Sequence, residues 1–236
     1  MTFKRSYWGD VLVTLHLPRA ACFYSFIIIG TFLSPVIHWD RLVLSLLATF
    51  CFLQLTAYAV DELKGRHCGT TIPDKHYRYR AIIGLIGAWA IAIYLGVIIN
   101  YTMFILSVFG AFMILGYNYE VLGLHSRLVF MFSWSFFPLV SNYYLHSLLV
   151  PTLTVIIWGV VAMVFAYLHI ISYGNFSCKV STCKDKPRDD CHGNLCEIRR
   201  YGITRETHRL QRKIANYEVL MLLVLTLVVI ISHYGW

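Results

Sequence analysis

Apolar residues in this chain come in long runs, without the alternation of a half-buried strand or the one-sided stripe of a surface helix. The runs occupy positions 20–38, 41–60, 80–99, 101–117, 128–147, 151–173 and 215–233. Each is about as long as the roughly 17–25 residues that a helix needs to cross about 30 Å of hydrocarbon. A chain inside lipid must also satisfy its backbone internally, which leaves helices as the simplest solution for such runs. The pattern predicts an all-α, polytopic membrane helix bundle with about seven transmembrane helices.

The connections near Trp39-Asp40, Asn100-Tyr101 and Ser147-Pro151 are very short, which joins neighbouring runs into hairpins. Pro35, Pro138 and Pro151 are expected to kink or start helices. The first run sits where a signal peptide would, but it lacks a small-residue cleavage pattern and is followed by further spans, so it reads as retained. One long polar insertion, 174–214, interrupts the pattern. The organisation expected is therefore a transmembrane core of six helices over 1–173, a Cys-containing loop over 174–214 and a C-terminal transmembrane helix within 215–236.

Composition agrees with this picture: 58% of the 236 residues are hydrophobic and the mean hydropathy is +0.63, too apolar for a soluble domain. Lys4, Arg5 and Arg19 precede the first run, Lys64 to Arg80 follow the second, Arg127 follows the fourth and Lys179 to Lys213 follow the sixth. All fall on one side, which the positive-inside rule assigns to the cytoplasm. An integral protein of the cell membrane is expected, with its N-terminus and charged loops cytoplasmic and its C-terminus outside. The net charge of +8 concentrates on that face and suits anionic lipid headgroups or a diphosphate better than nucleic acid.

The densest chemistry lies at the end of the second run, where Tyr58 through Arg80 mixes carboxylates with bases. Asp61 and Glu62 offer hard oxygen ligands for Mg²⁺, which takes one or two carboxylates plus substrate phosphates. Lys64, Arg66, Lys75 and Arg78 are candidates to hold phosphate oxygens. If the helix continues, Tyr58, Asp61 and Glu62 share a face through i, i+3 and i+4 spacing, and Gly65 ends it. The competing reading is an interfacial cap in which Asp61 and Glu62 pair with Lys64 and Arg66.

His169, inside an apolar run, reads either as an acid-base group or metal ligand, or as a histidine bonded to a neighbouring helix. Trp134 is the aromatic residue of the 128–147 run that reads as a candidate ligand contact. Cys178, Cys183, Cys191 and Cys196 form C-x4-C-x7-C-x4-C in the polar loop. On a reducing face they suit Zn²⁺, with paired disulfides the alternative.

Several of these segments resemble, in order, the UbiA superfamily of intramembrane prenyltransferases, in particular a DEL-type branch. The likeness is carried by D-E-L-K-G-R-x-x-G-T-x-I-P at 61–73, by Tyr117-Asn118-Tyr119-Glu120 and His125-Ser126, by Phe132-Ser133-Trp134-Ser135-Phe136-Phe137-Pro138, and by Leu17-Pro18-Arg19 before the first run. The resemblance implies helices packed around a cavity, with a polar cytoplasmic end that binds Mg²⁺ and a diphosphate. It also implies transfer of a polyprenyl chain to a lipophilic acceptor such as a quinone precursor. Asp61 and Glu62 would hold the metal, Lys64, Arg66 and Lys75 the diphosphate, and Tyr117 with Asn118 would shape the acceptor side.

The chain departs from that family at two places. The first family motif, Asn-Asp-x-x-Asp-x-x-x-Asp, falls on Ala57, Tyr58, Asp61 and Gly65, and the segment 167–175 carries no carboxylate where a second motif is expected. Typical members also have about nine helices. A second expectation therefore stands beside the first: a catalytically inactive membrane subunit that keeps a lipid- or quinone-binding cavity and supports a larger complex through partner membrane subunits.

Overall fold

The computed structural model describes residues 7–65, 72–118, 124, 126–173 and 205–234, and among these no strand occurs. Eight helices are described: α1 (Tyr7–Thr14), α2 (Leu17–Phe32), α3 (39–65), α4 (Asp74–Ile98), α5 (Tyr101–Asn118), α6 (127–147), α7 (Leu153–Tyr173) and α8 (Arg205–Tyr234). Four carry apolar stretches long enough to cross a membrane, at Trp39–Leu63, Asp74–Ile98, Arg127–Ser147 and Asn216–Tyr234. Three shorter apolar helices accompany them, at Ala20–Phe32, Tyr101–Tyr117 and Leu153–His169. The described residues form the all-helical bundle of a membrane protein.

The outward surface says the same. Ile82, Ile83, Ile86 and Val97 on α4, and Leu220, Met221, Leu227 and Ile231 on α8, are all exposed. A water-facing surface would not tolerate such continuous apolar belts, whereas lipid tails accept them without cost.

Neighbouring helices pack in chain order, α2 on α3, α3 on α4 and onward to α8, which returns to α2. Across the ring, smaller contacts join α3 to α5 and α6, and α2 to α7, and one extensive contact joins α2 to α6. It divides the bundle into two lobes that share an α2–α6 wall. The first lobe is enclosed by α2 to α6, the second by α2, α6, α7 and α8.

The wall depends on one small residue. A Cβ placed on Gly30 would lie 2.1 Å from the carbonyl oxygen of Leu139, so the α2 and α6 backbones meet where a side chain is missing. In lipid, helices associate through such close approach because hydrocarbon offers no hydrophobic driving force between them.

Two stretches are wound more loosely than an α-helix. In α3, Phe50–Ala57 is π-helical, and the Tyr58 N–H closes on the carbonyl of Leu53. In α6, Phe132–Phe136 is π-helical, and the Phe137 N–H closes on Phe132. π-turns widen the helix and free carbonyls, and they recur at functional sites. Here both stretches contribute to the walls of the first lobe, through Phe52, Leu53 and Ser133.

Two details lie beyond the hydropathy pattern. Helix α1 is a short element whose Trp8 and Leu12 face outward while Asp10 and Thr14 are buried; eight residues give no run of membrane length. His16 then turns the chain into α2 with a left-handed backbone, φ 46°. At the C-terminal end, α8 is one helix from Arg205 to Tyr234, so it begins within the segment that hydropathy assigns to the polar loop. At the far end of the bundle, Arg41 caps α6 by donating to the Leu145 carbonyl at 2.8 Å, and the His38 backbone N–H donates to Nδ1 of His146 at 3.0 Å.

Candidate functional site

The last turns of α3, Tyr58–Gly65, carry the charged cluster. Tyr58 and Glu62 are both fully buried at 0% exposure, as expected of positions four apart on one inward face. Asp61, one residue before Glu62, is only partly buried. The helix thus offers one carboxylate inside the bundle and one at its edge. The competing cap reading turns on Lys64 and Arg66, whose side chains lie outside the described residues.

One turn before Glu62, Tyr58 belongs to an aromatic cluster. The Tyr58 ring sits 4.6 Å from His16 and 6.0 Å from Trp134. Trp134 stacks on Phe130 at 4.7 Å, takes Phe23 edge-on at 5.8 Å, and Phe130 in turn meets Tyr117 at 5.3 Å. Offset and edge-on pairs of this kind add about 0.5–1.5 kcal/mol each beyond the area they bury. The sequence-selected Tyr58, Tyr117 and Trp134 therefore belong to one connected cluster.

The cations divide differently from the sequence expectation. Lys75 and Arg78 lie on the exposed side of the first turns of α4. Arg80, which sequence reasoning left among the topology-setting charges, turns inward. It donates to Thr14 Oγ1 at 2.7 Å, to the Thr14 carbonyl at 3.1 Å, to the Gln54 carbonyl at 2.7 Å and to the Leu55 carbonyl at 3.5 Å. Arg80 thereby ties the end of α1 to α3 and α4, on carbonyls of the π-helical stretch. Close by, a Cβ on Gly84 would lie 2.4 Å from the Cys51 carbonyl, so α4 rides directly on that stretch.

The first lobe holds a cavity of about 160 Å³. Its walls are mostly apolar, with Ile27, Phe52, Trp89, Leu106 and Phe137 among them, and its polar lining includes Ser107, Ser133, Ser141 and Asn142. Trp134 faces the smaller pocket of the second lobe instead, together with Phe23, Phe130 and Phe165.

That second pocket contains a cluster of ionisable groups. His169 Nδ1 lies 3.8 Å from Cys22 Sγ and 3.9 Å from a Glu218 carboxylate oxygen. All three residues are buried. The structure thus joins His169 to α2 and α8. Cys22 reads in the sequence as an isolated packing residue, and Glu218 was missed, although a lone carboxylate inside the last apolar run is itself a functional signal. Asn142 was missed on the same footing.

Among the described residues no group of three His, Cys, Asp or Glu side chains is arranged to hold a metal ion. Mg²⁺ itself needs only one or two carboxylates, filling its sphere with water and phosphate oxygens, so Asp61 and Glu62 suffice in kind as donors. Lys64 and Asn118 stand in helices, but their side chains lie outside the described residues, as do Arg66, Cys178, Cys183, Cys191 and Cys196. No family model matches the chain, and no curated protein or solved structure matches it either.

Proposed function

We propose that the chain is a UbiA-like intramembrane protein of seven spans that binds a polyprenyl diphosphate and transfers its chain to a lipophilic acceptor such as a quinone precursor. One observation carries this reading. An apolar cavity within the bundle shares Phe23 with an aromatic cluster, and the helix that supplies Tyr58 to that cluster carries Asp61 and Glu62 on its next turn. Such an arrangement separates a wet, charged end from a dry interior, as departure of a diphosphate from a prenyl chain requires.

In this reading Asp61 and Glu62 supply the oxygens for Mg²⁺, which when bound neutralises the diphosphate. Lys64, Arg66, Lys75 and Arg78 surround the phosphate oxygens. The rings of Tyr58, Phe130 and Trp134 shield the allylic centre from water and favour its positive charge. Tyr117 and Asn118 border the acceptor, and His169 lies on the substrate side of the second lobe. The charged end faces the cytoplasm and the C-terminus lies outside, as the distribution of Lys and Arg indicates. Cys178, Cys183, Cys191 and Cys196 are the thiols that would hold Zn²⁺ on a reducing face, with paired disulfides the alternative.

A second reading is a membrane subunit that keeps the cavity but performs no transfer, binding lipid or a quinone-like ligand and supporting partner subunits. Its support is the missing carboxylate over 167–175 and the engagement of Arg80 by helix carbonyls instead of a substrate pocket. The two readings part at Asp61. Substitution Asp61→Asn is expected to abolish Mg²⁺-dependent binding of geranylgeranyl diphosphate, measured by isothermal titration, and to leave the thermal unfolding midpoint within a few degrees of wild type. Unchanged diphosphate affinity would remove Asp61 from the site.

A further inference from the structure

Helix α1 lies outside every long apolar run of the chain, and its two sides are arranged the wrong way round for water. Trp8 and Leu12, four residues apart and so on one face, are 72% and 57% exposed, and Tyr7 beside them is exposed as well. The inward side carries Asp10 and Thr14, both buried, with Val11 packed against the cluster of Ala59, Ile72 and Tyr77. An eight-residue helix that hides a carboxylate and a hydroxyl while displaying an indole and an isobutyl group is built for a medium other than water.

Two ties fix where that outward face lies. The Tyr7 hydroxyl shares a hydrogen bond of 2.9 Å with Nδ1 of His76 in the first turn of α4, and Arg80, one turn further along α4, donates to Thr14. His76, Tyr79 and Ile83 share a face of α4 through i, i+3 and i+7 spacing, and Tyr79 and Ile83 are exposed in its apolar belt. The apolar surface of α1 thus adjoins one that lipid covers.

Length and charge agree on the depth. Helix α2 has 16 residues, which reach about 24 Å at about 1.5 Å per residue, short of about 30 Å of hydrocarbon. A helix that short brings the turn at His16, between α1 and α2, close to the hydrocarbon boundary. Trp and Tyr favour that depth, and Lys4, Arg5 and Arg19, which flank α1 in the sequence, suit anionic headgroups.

We infer that α1 is an interfacial helix whose Trp8 and Leu12 face is seated in the adjoining membrane leaflet, among the headgroups and the first methylenes. Its partner is the bilayer itself and not a second copy of the chain. Helix α1 also supplies Thr14 to Arg80, and the His16 ring behind it lies 4.6 Å from Tyr58, so the leaflet steadies the helix that carries Asp61 and Glu62. This seating requires neither diphosphate nor transfer and goes beyond the proposed activity.

The test uses the full-length chain in nanodiscs of phosphatidylcholine and phosphatidylglycerol. Subtracting the emission of Trp8→Phe from that of the wild type isolates Trp8 from the other tryptophans. Lipids brominated near the glycerol end of the acyl chain are expected to quench that component about twofold more strongly than lipids brominated near the methyl end, as the depth of an interfacial helix requires. A Trp8 component that neither lipid quenches would overturn the assignment, as would one quenched more strongly from the methyl end. With benzoylphenylalanine in place of Leu12, irradiation is expected to give adducts of phospholipid mass. Adducts to a second copy of the chain in their place would assign the face to self-association and overturn the lipid seating.

Discussion

Replacing Gly30 with leucine is expected to leave little folded protein in mild detergent. Even the first atom of the new side chain would lie 2.1 Å from the Leu139 carbonyl oxygen, far inside contact distance, and the obstacle is backbone that cannot rotate away. Helix α2 would have to move off α6, opening the wall that both lobes share. Overpacking a tight core costs about 1–3 kcal/mol, and more when backbone must shift; against a net stability of about 5–15 kcal/mol a loss above the upper figure removes a large part of the margin. Gly30→Ala should fall in between, with a lowered midpoint but detectable folded protein. Fluorescence-detected gel filtration before and after heating checks both variants. A leucine variant that elutes and melts like the wild type would show that the α2–α6 crossing is not the close contact described here.

Arg80→Met is the second large effect. The guanidinium serves four acceptors on α1 and α3 at once, and two of them are carbonyls in the stretch that π-winding loosens. Methionine keeps much of the aliphatic stem but leaves the Gln54 and Thr14 carbonyls without their donor. A buried acceptor left unsatisfied costs about 1–3 kcal/mol, so a loss of about 3 kcal/mol is expected even with partial hydration at this end. Arg80→Lys should recover less than half of it, because an ammonium is a point donor that cannot span the fork from Thr14 to Gln54. Hydrogen exchange of α1 amides separates this from a loss of bound ligand: α1 should exchange faster in both variants with no lipid or diphosphate present. Wild-type protection in Arg80→Met would contradict the tethering role.

Much of the helical architecture is legible in the sequence because lipid imposes one simple rule, that a spanning helix must be apolar along its length. The seven apolar runs correspond in position to α2 through α8. The inward pairing of Tyr58 with Glu62 is equally legible, from a spacing of four. Asp61 shows where such reasoning thins out: neighbouring positions point about 100° apart on a helix, and burial separates Asp61 from Glu62 accordingly. The two-lobed arrangement was not legible, since it follows from Gly30 meeting Leu139, a contact between residues more than a hundred positions apart. Nor was the role of Arg80, because two of its four acceptors are main-chain carbonyls of the π-helical stretch and the other two belong to Thr14 on α1, and no residue type announces such a carbonyl. Asn142 and Glu218 did carry a signal, each a polar residue within an apolar run. Only the structure shows that one faces a cavity and the other a histidine.

The most direct measurement incubates the purified protein with radiolabelled geranylgeranyl diphosphate, Mg²⁺ and a membrane lipid extract, and separates lipids from released diphosphate. The account predicts a labelled lipid product that depends on the extract, vanishes with EDTA and is absent from Asp61→Asn. A folded protein that yields no labelled lipid across several prenyl lengths and acceptors would contradict the transferase reading and leave the cavity as the binding site of a noncatalytic membrane subunit.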